Sequence, residues 1–589
     1  LGMSRRIGKI RVHPTQPERA WVAVIAGAGR DDAGIWQTGD AGGSWERVLT
    51  TGVRVAAIDL VLDLAAPDRL LAATWDRRGG DGSGVHRSVD GGASWQRLAG
   101  GLPRGEFVER VAIDLCRARP QTVYALTVDR RKPGEGRYGV GGVVYRSDDG
   151  GDSWIRCHEG YLPTYVGWDF CDVKVHPVDP DRLWVCGMRL VVSNDGGRSW
   201  TEVDERIRRL LPFEDRLPDG DQVMHLDAHE LWIDPERPDR LLLGNDGGLF
   251  ESLDGGHSWL HRNTLPITEL YTAFVDDDPS GRWPFRIWCG SQDNGALVGP
   301  PLPIDDDEPD PWRHVFLDRW NGGDGFATRP DPTDDGVVYF EHQSGAMRRK
   351  QRDGSVLSGR GDVSIRPPGR DLAFAWNTPL FPSDHAGATL FTASQFVFRS
   401  LDRGESWQRI SGDLGQGGAL LALTESPRLA GLLYAGGDGG AVHIGMPSAA
   451  VDGSEFDWRP AAALPRRRVA DLCASAHSDD RVWVCLRADR PMVFVSDDRG
   501  ATWTDRSAGI PPAESTWTLL EDPRDPAIVY VGTDLGVCVS RDSGVTWESL
   551  SATLPTTPVL DLALHPRSLR LVAATHGRGA FVLDVSSLR

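Results

Sequence analysis

One eight-residue pattern recurs eight times along this chain: Ser or Thr, any residue, Asp, any residue, Gly, any residue, Ser or Thr, Trp. The copies span 38–45, 88–95, 147–154, 193–200, 252–259, 400–407, 496–503 and 540–547. Each follows an apolar alternating run, such as Gly248-Leu-Phe-Glu-Ser252, and opens a short polar strand with its Trp, which is the pattern of a hairpin turn. The Asp accepts turn amides, the Gly supplies φ > 0, and the hydroxyls close the turn from both sides. The Trp fills the gap between stacked sheets. Every fixed residue therefore has a structural duty, and these Asp residues read as folding staples.

A second unit precedes each turn: an apolar strand ending in Pro, a short polar turn, and another apolar strand. Ile10-Arg-Val-His-Pro14 followed by Arg19-Ala-Trp-Val-Ala23 is one example. Together the two units make four strands in roughly 45–50 residues, the period of a propeller blade. The expected fold is all-β, a β-propeller with about twelve four-stranded blades. Five blades carry the pattern before residue 262. Two without it cover 269–316 and 324–362, another spans 420–458, and an incomplete unit at 559–584 ends the chain. Two propellers of about six blades each are expected, residues 1–318 (blades 1–6) and 319–589 (blades 7–12), with one large ring as the alternative. The break is expected near the acidic, proline-rich insert 299–311 or just after it.

The repeated turn resembles the Asp-box, or bacterial-neuraminidase, repeat of sialidases, sortilin-type receptors and double-propeller xyloglucanases. Gln292-Asp-Asn-Gly295, Gly322-Gly-Asp-Gly325 and Trp376-Asn-Thr-Pro379 resemble a group of bacterial proteins called glycosyl hydrolase-like. The resemblance implies shared blades and leaves the chemistry open. A sialidase is disfavoured, because Arg6-Ile-Gly8 stands where that family has Arg-Ile-Pro, and no Tyr/Glu nucleophile pair is evident. The xyloglucanases use two aspartates, one from each propeller, facing across a cleft.

A formal charge of −19 without a basic stripe argues against nucleic acid and anionic membranes. A small-molecule or glycan ligand fits better. No apolar run is long enough to span a bilayer. The opening Leu1-Gly-Met-Ser-Arg-Arg6 lacks a signal-peptide core, which points to the cytoplasm, or to secretion if a leader has been removed. The eight cysteines show no CxxC and read as reduced core thiols.

Function is expected where the repeated turn is lost, in a cleft near blades 5–8. Candidate catalytic carboxylates are Asp246, Asp293 and Asp324, with Asp438 and Asp534 in comparable glycine-rich turns, since glycoside hydrolysis needs an acid and a second carboxylate. Gln292, Asn294, Trp320, His342, Gln343, Trp376 and Asn377 offer the amides and aromatic faces of a sugar site. His225, Asp227 and His229 would share one face of a strand and make a candidate divalent-metal site, although three ligands on a straight strand span about 13 Å. Three readings follow: a carbohydrate-active glycoside hydrolase, a non-catalytic ligand- or protein-binding propeller, and a metal-dependent enzyme built on the histidine strand.

Overall fold

The computed structural model describes residues 6–25, 32–52, 54–77, 79–129, 141–164, 171–203, 224–262, 265–302, 312–316, 323–351, 362–448, 455–550 and 553–588. These form twelve antiparallel sheets, eleven of four strands and one of three, each running in sequence order from first to last strand. The sheets are the blades: blade 1 (6–50), 2 (55–98), 3 (108–156), 4 (172–202), 5 (228–261), 6 (270–316), 7 (325–364), 8 (380–409), 9 (420–460), 10 (468–505), 11 (516–549) and 12 (559–584). The expected number and order of blades is what is found, including the incomplete last one.

Second strands read as unbroken apolar runs because neighbouring blades cover both of their faces. Val482–Arg487 is buried along its first five residues, and Trp21, Trp184, Trp288 and Trp483 are fully buried on the second strands of blades 1, 4, 6 and 10. The core accordingly lies between blades, as where Val108, Val111 and Ile113 of blade 3 pack on Leu71, Ala73 and Trp75 of blade 2.

The repeated turn folds as its residues dictate. Ser252 Oγ donates to Asp254 Oδ1 (2.8 Å) and accepts from Gly256 N (2.8 Å), while Ser258 donates its amide to Oδ1 (2.9 Å) and its hydroxyl to Oδ2 (2.6 Å). Residues four and five of each copy have positive φ, so Ala41, Arg403, Arg499 and Ser543 are held in a conformation that favours glycine. In blades 1–5 the Trp donates to its own turn, as Trp259 Nε1 does to Gly256 O (3.1 Å). In blades 8, 10 and 11 it reaches back towards the preceding blade, from Trp407, Trp503 and Trp547 to the carbonyls of Ile365, Ala462 and Arg506.

The chain divides into two compact units between Asn263 and Thr264, giving five blades to the first and seven to the second. The division thus falls before blade 6 and not at 318/319. Blade 6 belongs to the second unit because Leu270, Ala273, Phe285 and Ile287 share a core with Val572 and Ala574 of blade 12. The acidic insert falls in sequence between two strands of blade 6, Ala296–Gly299 and Arg313–Phe316, and its residues 303–311 lie outside the described part.

Aspartates on the first strands of blades 2, 3 and 10 fasten those blades to the next. Asp59 accepts the Ile113 amide (2.9 Å), Asp114 that of Val175 (2.8 Å), and Asp471 that of Leu519 (3.0 Å). In the first unit Lys174 bonds Asp172 (2.8 Å) and Glu230 (2.6 Å), and Lys9 bonds Glu230 (2.5 Å), so blades 1, 4 and 5 meet through their first strands.

Candidate functional site

In a blade of this topology, the segment entering the first strand and the turn leaving the second strand lie at the same end of the sheet. In the second unit that end gathers most of the polar residues singled out above. Gln292, Asp293 and Asn294 form the turn between Arg286–Ser291 and Ala296–Gly299 of blade 6. Asp324 enters blade 7 and bridges backbone to backbone with Gly295. His342 ends the second strand of blade 7, with Gln343 just beyond it.

Asp324 is the hub of this group and is almost wholly buried. Its Oδ1 accepts the Asp293 amide (3.0 Å), its Oδ2 accepts Gln343 Nε2 (3.0 Å), and its carbonyl bonds His342 Nδ1 (2.5 Å). Asp293 is locked by this contact with φ at +52° and serves here through its backbone. Asn294 turns its amide back onto the Gln292 carbonyl (2.9 Å). Gln292 Oε1 accepts the Tyr271 hydroxyl (3.1 Å). Tyr271 stacks on Phe326 (centroids 4.8 Å apart), and Trp376 meets Phe326 edge-on (6.4 Å). Trp376 itself is largely exposed, as is Asn377 beside it. Trp320 lies outside the described residues.

Three residues that the sequence did not single out complete the group. Glu269, just before the first strand of blade 6, bonds His576 Nδ1 from the turn of blade 12 (2.5 Å). Burial pushes the Glu269 carboxyl above its usual range against the pull of His576, and the nearby charge of Asp324 adds to that push. Tyr271 is driven up by burial and by Asp324, Glu269 and Asp293. Glu341 is fully buried under the Gln343 turn, accepts the Gly345 amide (3.0 Å) and leaves Oε2 without a partner. Burial raises its carboxyl well above the ordinary range, which favours the protonated form.

The histidine strand is organised differently from the sequence expectation. The strand begins only at Ala228, and Asp227 has φ at +65°, so the alternation that would align His225, Asp227 and His229 is broken. His225 is buried with Nδ1 on the Leu226 carbonyl (2.9 Å), whereas His229 Nε2 pairs with Asp246 Oδ1 (2.7 Å). Among the described residues no group of three or more His, Cys, Asp or Glu side chains is placed to hold a metal ion. What remains is a carboxylate–imidazole pair, Asp246–His229, in the first unit. Asp438 and Asp534 stand apart from Asp324, on blades 9 and 11. Arg468 Nε bonds Asp438 (2.7 Å), and Asp534 accepts the Ser515 amide and Trp517 Nε1 (2.8 Å each).

The fold defines a β-propeller protein, and comparison with known proteins finds solved structures of the same architecture. A GH74 xyloglucanase from Xanthomonas campestris superposes with a TM-score of 0.60 at 17% identity, over 97% of this chain and 82% of that one. A GH74 enzyme from Niastella koreensis gives 0.57 at 15% identity, over 98% of this chain and 82% of that one. In sequence, 111 residues are 33% identical to an oligoxyloglucan-reducing end-specific xyloglucanase from Emericella nidulans, which is 17% of this chain and 13% of that protein. No family model matches the chain.

Proposed function

We propose that this protein is a glycoside hydrolase acting on a polysaccharide of the xyloglucan or β-glucan class, with its acid chemistry on blades 6, 7 and 12. Glycosidic cleavage needs one carboxyl that holds its proton and a second carboxylate in reach of the same sugar. Glu269 is the proton donor, since burial and the charge of Asp324 both favour its protonated form. Asp324, pinned through both oxygens, is the second carboxylate. Tyr271, Gln292 and exposed Trp376 supply the hydroxyl, amide and aromatic face that a sugar ring takes. The observation that carries this reading is that the half-buried Glu269 carboxyl lies within electrostatic reach of Asp324, and the likeness to xyloglucanases supports it. Asp246, paired with His229 in the first unit, is the second candidate for proton transfer.

The test is turnover of a panel of β-glucans, xyloglucan and chromogenic glycosides. Glu269→Gln and Asp324→Asn should each lower kcat by about a hundredfold or more, with unfolding temperatures near that of the unaltered protein. A loss confined to Asp246→Asn would move the chemistry to the first unit. Binding of a glycan without turnover would make the protein a binding propeller.

A further inference from the structure

A second polar cluster lies at the same end of blades 10 and 11. Arg487 ends the second strand of blade 10, Val482–Arg487, and its guanidinium lies flat over the Trp517 ring, 3.0 Å from the centroid. Trp517 is fixed in turn by its Nε1 bond to Asp534 Oδ1 (2.8 Å), and Asp534 by the Ser515 amide (2.8 Å). The plate beneath Arg487 is therefore rigid. Arg487 is only part-buried and makes no hydrogen bond or ion pair among the described residues, leaving its forked donors open.

Its cross-strand neighbour has the same charge. Arg468 is the register partner of Arg487, and like charges directly opposite each other on paired strands destabilise a sheet. Arg468 is exposed and tied only to exposed Asp438 (2.7 Å). Arg466 and Arg467, both exposed, precede it. Four arginines at one end of one blade are out of character for a chain of net charge −19. A neutral sugar uses none of this charge. A bound carboxylate would accept two parallel N–H bonds from the flat guanidinium and relieve the repulsion between the two strands. Asp534 and Asp438 alongside temper the site and disfavour a dianion.

We propose that Arg487 on its Trp517 plate, flanked by Arg468, binds the carboxylate of a uronic acid residue, so that the glycan this protein takes carries acidic sugars. The inference rests on the glycan reading above and adds the charge of the ligand.

Calorimetry on the full chain carrying Glu269→Gln would compare a galacturonic acid oligomer with its methyl ester. The acid should bind about tenfold or more tightly than the ester, and Arg487→Gln should erase the difference. Arg487→Lys, which keeps the charge and loses the fork, should recover only part of it. Arg468→Gln, at an exposed side chain that does not support the sheet, gives the same reading should Arg487→Gln fail to fold. Equal binding of acid and ester, unchanged binding in both Gln variants, or displacement of the acid by sulfate at similar concentration would each overturn the assignment. Because the readout is binding, hydrolysis of neutral β-glucan without acid preference leaves the hydrolase reading standing and removes this one. Acid-selective binding without any hydrolysis does the reverse.

Discussion

Asp561 of blade 12 accepts the backbone amide of Ala273 in blade 6 at 2.9 Å, across 288 positions of sequence. It is the same fastening that Asp471 makes to Leu519 two blades earlier, used here to join the last blade of the second unit to its first. Asp561 also accepts the Leu562 amide (2.9 Å) and lies within electrostatic reach of Arg329. Asp561→Ala should cost the second unit about 2–3 kcal/mol, the loss of charge-assisted bonds that leaves their donors unpaired. Hydrogen exchange should show protection lost at Ala273 and its neighbours, while blades 1–5 keep theirs.

The first unit is joined by ions. Lys174 and Asp172 are buried, and Glu230 is half-exposed. Removing the central cation with Lys174→Met leaves buried Asp172 with only Lys9, at 4.0 Å, while Glu230 keeps its own bond to Lys9. The cost should be about 2–3 kcal/mol, below that of a fully buried pair because Glu230 stays wet. Denaturant unfolding would measure it, and Lys174→Met with Glu230→Gln should recover part of the loss.

Stability should be greatest on the acid side of neutrality. In the repeated turns, hydrogen bonds from Ser or Thr hold Asp40, Asp90, Asp498 and Asp542 down at about 2, below the ordinary 3.8. A lowered folded value contributes stability above 3.8 that is lost as pH falls towards 2. Asp471 is the opposite case, pushed by burial and by neighbouring Asp561 up to about 7. Its contribution is complete below 3.8 and is lost as pH rises through about 7. Chemical unfolding across this range should show decline at both ends, and a curve still rising between pH 5 and 8 would contradict it.

Ala41 occupies the left-handed position that glycine fills in blades 2–5, and its side chain gains nothing there. Ala41→Gly keeps the amide bond to the Glu18 carbonyl (2.9 Å) and should stabilise blade 1 by roughly 0.5 kcal/mol, the strain relieved less the entropy glycine adds to the unfolded chain. Thermal unfolding would read it.

Glu341→Gln should be nearly silent in stability, because burial favours the neutral carboxyl and Gln keeps the acceptor for Gly345 N. Glu341→Ala should cost about 2–3 kcal/mol through the unpaired amide and the cavity. The contrast, followed by thermal unfolding, separates a neutral hydrogen-bonding role from a charged one.

The blades were legible because each is a local unit, closed by turn residues within a few positions of one another. The loss of the turn between Trp259 and Ser400 led to Gln292, Asp293, Asp324, His342 and Gln343, which do meet. Glu269 was not legible, since its partner His576 arrives from the other end of the unit and no spacing in the chain announces it. The division between units was hidden for the same reason: that blade 6 packs on blade 12 depends on which apolar surfaces fit, and the proline-rich insert falls between two strands of blade 6. The alignment of His225, Asp227 and His229 failed on one backbone angle, at Asp227, that an alternating pattern does not encode.

Among the described residues no strand crosses from one end of the second unit to the other. Blade 6 takes all four of its strands, and blade 12 its three, from continuous stretches of chain, and Asp561 and the shared apolar core make the join. The order of these seven blades around the ring is therefore fixed by which surfaces fit, whereas the point at which the polypeptide is cut is not. A circular permutant of this ring, opened in the exposed loop between blades 8 and 9 and linked from blade 12 to blade 6, should close on the same contacts.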